Sequence, residues 1–79
     1  MRMDVGGQKR RRLYVLLAAY LDAGVNDPSI RELRQRAGLK DARVVLQLLH
    51  RLEEDGWIAI RPGGRGERNR YVLWSPDGH

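Results

Sequence analysis

At Gly56 the apolar residues of this chain change their spacing, and that change constrains the fold more than any other feature. Before it they recur as helical stripes; after it come two short runs of β-formers. Leu13, Leu16, Leu17, Tyr20 and Leu21 follow the i, i+3, i+4, i+7, i+8 pattern of an amphipathic helix over Gln8 to about Asp22. Ala23-Gly24 stops that helix, and Asn26-Asp27-Pro28 is turn chemistry. Ser29-Ile30-Arg31-Glu32 carries the spacing of a capping box, in which the hydroxyl and the carboxylate each satisfy an otherwise orphaned amide. It opens a second helix over Ile30 to Ala37, with Ile30, Leu33 and Ala37 on one face. Gly38 breaks it and Leu39 anchors the turn. Asp41 is a good N-cap for a third helix reaching about Asp55, with Val45, Leu48, Leu49 and Leu52 as its buried stripe.

Beyond Gly56, Trp57-Ile58-Ala59-Ile60-Arg61 and Arg70-Tyr71-Val72-Leu73-Trp74 read as strands. The segment between them, Pro62 to Asn69, has loop composition, so the two runs form a β-hairpin with a flexible, basic tip. Trp57 and Trp74 bracket the hairpin and are expected to supply core area in a chain without phenylalanine. The fold class is α+β, with the element order of a winged helix-turn-helix: three helices followed by a two-stranded β-hairpin wing. Residues 1–7 are expected as a flexible N-terminal tail, 8–75 as the domain and 76–79 as a C-terminal tail.

Length and composition exclude several functions. Seventy-nine residues make one small domain, with little room for a cleft between lobes. Without cysteine there is no disulfide framework, thiol nucleophile or zinc finger. No apolar run approaches the roughly 20 residues that span a bilayer, and the N-terminus lacks the apolar stretch of a signal peptide. A cytoplasmic protein without membrane contact is expected. His50 has only terminal His79 as a second imidazole, so no metal site is expected. Gly63-Gly64-Arg65-Gly66 lacks the Lys-Ser/Thr of a phosphate-cradling loop. No nucleophile triad or carboxylate pair can be assembled, so neither enzyme activity nor a cofactor is expected.

The formal charge of +5 is unevenly placed: +4 over residues 1–21, −1 over 22–60, +3 over 61–70 and −1 over the last nine. Two basic clusters flank a near-neutral middle, an arrangement that suits a polyanion, since each Lys or Arg at a phosphate releases a condensed counterion. Charge alone is read equally well as a solvated surface. The same holds for the run Lys9, Arg10, Arg11 and Arg12, which either contacts phosphate or is a solvated helix face. Glu53, Glu54 and Asp55 are expected at the solvent-facing far end of the third helix.

A short second helix, a tight turn at Gly38 and a third helix docked through Val45, Leu49 and Leu52 would hold the third helix proud of the domain. There its N-terminal half can enter a major groove about 12 Å wide. Residues 28–74 resemble the winged helix-turn-helix of transcriptional regulators, and most closely the DNA-binding domain of LexA-type repressors. The likeness lies in Ser29-Ile30-Arg31-Glu32-Leu33, in Arg36-Ala37-Gly38-Leu39, and in His50-Arg51-Leu52-Glu53-Glu54-Asp55-Gly56-Trp57-Ile58, with 18 positions between Gly38 and Gly56. The resemblance implies a repressor-like, sequence-specific binder of double-stranded DNA. It covers the DNA-binding part alone and carries over no autoproteolysis.

Mapped onto that motif, Lys40, Arg43 and Gln47 are the base-reading candidates, Arg pairing with guanine and Gln with adenine. Arg31, Arg34, His50, Arg65, Arg68 and Arg70 are candidates for backbone or minor-groove contact. The recognition helix departs from the family's polar opening: Val44 and Leu46 are expected on its exposed side. That apolar pair touches thymine methyls or, in a rival reading, makes the domain a protein-interaction module. Structured-RNA binding is a second rival. Tyr14, Leu16 or Leu46 would supply a small homodimer interface.

Overall fold

A computed structural model of the chain describes the backbone of residues 5–73 and the side chains of residues 7–73. The order is α1 (Val5–Asp22), α2 (Ile30–Ala37), α3 (Ala42–Glu54), β1 (Ile58–Arg61) and β2 (Arg70–Leu73), the last two forming an antiparallel two-stranded sheet. This is the α+β winged arrangement that the change of period at Gly56 implies.

One core joins all five elements. Leu13 and Leu17 of α1, Leu33 and Ala37 of α2, and Val45, Leu49 and Leu52 of α3 are buried together with Leu39, Ile58 and Tyr71. α1 starts at Val5, three residues before the expected Gln8. Gly6 and Gly7 each cost a helix about 1 kcal/mol relative to alanine. The turns that follow them are held by the buried Leu13 and Leu17. Of the expected N-terminal tail 1–7, residues 5–7 belong to α1; residues 1–4, the expected C-terminal tail 76–79 and Trp74 lie outside the described residues.

The helix-turn-helix is built from local rules. The Glu32 N–H donates to Ser29 Oγ at 3.1 Å, and the Ser29 N–H donates to the Glu32 carboxylate at 3.3 Å, completing the capping box. Gly38 ends α2 in the left-handed region at φ 67°, where a side chain would be strained, and its N–H donates to the carbonyls of Arg34 and Gln35. Leu39 turns inward at 5% exposure and Asp41 caps α3 by accepting from the Val44 N–H at 3.0 Å. Two helices are thereby fixed to one another through four residues of turn.

Two expectations about packing are corrected. Val44 is half-buried against the core rather than exposed, because the apolar stripe of α3 is wide and takes in 44, 45, 48, 49 and 52. Trp57 is 43% exposed rather than core. Its N–H donates to the Leu52 carbonyl at 2.9 Å, so it finishes α3 instead of starting β1. Its ring meets Tyr14 edge-on, with centroids 5.6 Å apart. Tyr14 and Leu16 are themselves half-buried against the core.

The hairpin register is Ile58↔Leu73, Ala59↔Val72, Ile60↔Tyr71 and Arg61↔Arg70. By the two-residue alternation, the pairs 58/73 and 60/71 face the core, and the pairs 59/72 and 61/70 face away from it.

Candidate nucleic-acid interface

The exposed side of α3 is set by the same stripe that buries the other side. With Val45, Leu49 and Leu52 inward, Arg43, Leu46, Gln47 and His50 lie outward at helical spacings of three and four. Lys40 is exposed in the turn just ahead of them. On α2, Arg31 is exposed and Arg34 is half-buried. Farther along α3, Gln47, His50 and Arg51 share a shallow groove with Gly7 and Arg10 of α1. Gly7 and Arg10 of α1 thus lie alongside the second half of α3.

The wing is fastened at several points. The Tyr71 N–H donates to the Asn26 carbonyl at 2.9 Å, so β2 borrows a third-strand contact from the loop between α1 and α2. Arg68 donates to the Asp27 carbonyl at 2.8 Å and pairs with its carboxylate at 3.8 Å. At the tip the Gly63 N–H donates to the Asn69 side chain, the Gly64 N–H to Glu67, and the Glu67 N–H to the Gly64 carbonyl. The tip expected to be loose is therefore closed on itself. Gly63 is needed there because a Cβ would overlap the Arg68 carbonyl oxygen and come within 2.7 Å of the Glu67 carbonyl oxygen.

These bonds sort the basic residues. Arg68, expected on phosphate, ties the wing to the turn preceding α2. Arg10 donates to Asp55 at 2.7 Å, joining α1 to the end of α3. Arg12 donates to the Ala37 carbonyl at 3.3 Å, covering the C-terminus of α2. Lys9 and Arg11 are exposed, so the N-terminal run is split between bracing and surface. The acidic end of α3 is likewise not simply solvated: Asp55 holds Arg10, and Glu53 accepts from the Ile60 N–H at 3.1 Å. Arg65 stands exposed at the wing tip, and Arg70 stands exposed on its outer face directly opposite Arg61.

Arg61 is a candidate that the sequence reading missed. Two arginines facing each other across a hairpin repel, so their placement makes sense where an anion lies between or above them. Only the register reveals it, since the two stand nine positions apart.

The family match agrees with this architecture. The family described as LexA DNA binding domain matches residues 7–66. The chain belongs to the LexA DNA-binding domain family. No curated protein and no solved structure gives a match. The stretch that matches the LexA-type domain holds α1 from Gly7 onward, α2, α3, β1 and most of the wing tip, ending before β2. Of the features that carried the resemblance, the capping box and the Gly38 turn are both formed. Among the described residues, no helix of the LexA-type domain is long and apolar enough to cross a membrane.

The Tyr71 phenol, buried beneath the wing, is pushed above its ordinary pKa by burial, with a hydrogen bond from the Asn69 side chain opposing. It stays neutral at physiological pH and serves the core.

Proposed function

We propose that this chain is a small, sequence-specific regulator of transcription, or the DNA-binding module of one, acting on double-stranded DNA. α3 enters the major groove with Lys40, Arg43 and Gln47 at base edges, the arginine suited to guanine O6 and N7 and the glutamine to adenine N6 and N7. Arg31 and Arg34 on α2, His50 on α3, and Arg65, Arg61 and Arg70 on the wing hold phosphate or the minor groove. Lys9 and Arg11 add phosphate contacts beside α3. Arg10, Arg12 and Arg68 position these elements through the bonds described above.

The observation that carries this reading is the outward strip of α3 in a LexA-type domain, with Arg43 and Gln47 one helical turn apart over a fully apolar inner face. The rival reading, a protein-docking face, needs Val44 and Leu46 together. Half-burial of Val44 leaves Leu46 amid polar neighbours, too little apolar surface for a stable interface.

Selection of duplexes from a random pool tests the proposal. A recovered motif containing guanine and adenine positions that are lost in Arg43→Ala and Gln47→Ala supports it, and the symmetry of the motif reports whether one copy or two bind. Recovery of no motif, or preferential binding to duplex RNA in competition, refutes it.

A further inference from the structure

Leu46 is 41% exposed in the middle of the proposed base-reading strip. Arg43 stands three positions before it, Gln47 follows it, and His50 stands four positions after it, all exposed on the same side of α3. Among the described residues the other exposed large hydrophobics are Val15, Val25 and Trp57, none of them on α3. Among the described residues Leu46 is therefore the one exposed large apolar side chain on α3, flanked by Arg43, Gln47 and His50 and by the small Ala42. A lone leucine is too small for a protein interface, and the described residues leave it 41% exposed. The one apolar group that a base pair displays in the major groove is the methyl on pyrimidine carbon 5.

We infer that Leu46 is a specificity residue that packs against a pyrimidine 5-methyl group, between the bases read by Arg43 and Gln47. The inference rests on the proposed entry of α3 into the major groove and adds the class of base read at its centre. Thymine and 5-methylcytosine display this group at the same place, and both are accepted by the contact. Uracil and unmodified cytosine, which have hydrogen at carbon 5, leave the leucine facing water. Covering one methyl group corresponds to about a fourfold difference in affinity.

The test uses the 79-residue chain and the duplex recovered by selection. Each thymine is replaced in turn by deoxyuridine, which removes only the methyl, and each cytosine by 5-methylcytosine, which adds one. At one pyrimidine position the wild-type chain is expected to lose about fourfold on removal of the methyl, or to gain about fourfold on its addition. Loss at a thymine assigns the group to thymine, and gain at a cytosine assigns it to the modified base. Leu46→Ala, at an exposed helical position, should fold as the wild type does by circular dichroism and bind the two members of that pair equally. The inference is overturned if no position responds, or if Leu46→Ala keeps the same response as the wild type. Those results would leave the recovered motif, and hence major-groove reading by α3, in place; failure to recover any motif would remove both.

Discussion

Replacing Arg61 by glutamine separates what the wing does for stability from what it does for binding. Arg61 and Arg70 are direct partners in the hairpin register and both are exposed. Like charges opposite one another in a sheet cost between a few tenths and about 1 kcal/mol. Exposure and salt screening place this pair in the lower half of that range, at about 0.5 kcal/mol. Glutamine keeps most of the length of the side chain and removes the charge, so Arg61→Gln should stabilise the free domain by that amount. For a domain of this size it corresponds to a rise in Tm of about 2–4 °C. Arg70→Gln should do the same, and the double variant should gain little more, because one substitution already ends the repulsion. Binding should move the other way. If Arg61 neutralises a phosphate, its loss makes the slope of log K against log salt shallower by about 0.9. Thermal melts in low salt and a salt series on one duplex measure the two quantities. A lower Tm with an unchanged salt slope would refute the reasoning, since it would make Arg61 a structural residue and not a phosphate contact.

Other substitutions test the parts that hold the interface in place. Arg68→Ala removes the bonds to Asp27 and should cost about 1 kcal/mol, discounted for exposure, while hydrogen exchange at the Tyr71 amide, bonded to Asn26, speeds up. Unchanged exchange there would mean that the wing needs no such tie. Ser29→Ala breaks the capping box and should destabilise by about 1 kcal/mol, read from denaturant midpoints. Gly63→Ala should disrupt the wing tip, seen as shifts of the amide resonances of residues 63–69, and reduce DNA affinity while the helices stay folded. The raised pKa of Tyr71 means that the folded state favours the neutral phenol; its contribution is full below the unfolded value near 10 and is lost as pH rises through the higher folded value. Alkaline unfolding should therefore be less steep in Tyr71→Phe, and an identical alkaline limb in both proteins would contradict that assignment.

Much of the scaffold could be read from the sequence because it follows short-range rules. The capping box at Ser29 and Glu32, the glycine stop at Gly38 and the Asp41 cap each involve residues within a few positions of one another, and all three are formed. The inner stripe of α3 was legible for the same reason. Contacts between distant residues were not. Arg10 to Asp55, Arg12 to Ala37 and Arg68 to Asp27 join positions 45, 25 and 41 apart, and an arginine's sequence neighbours do not say whether it will brace a helix or face water. Trp57 was misplaced because an aromatic residue beside β-branched ones looks like a strand. Its amide instead completes the end of α3. Arg61 gained meaning only once the hairpin register set it against Arg70.

The salt dependence of binding to duplex DNA is the most direct test of the central claim. Arg31, Arg34, Arg61, Arg65 and Arg70, together with Lys9 and Arg11, are the basic residues assigned to phosphate, and seven such contacts predict a slope of log K against log salt of about −6.3. A linear fall near that slope, made shallower by substitutions on the wing, is the predicted result. Affinity that does not change with salt, or no binding to duplex DNA at low salt, would contradict it.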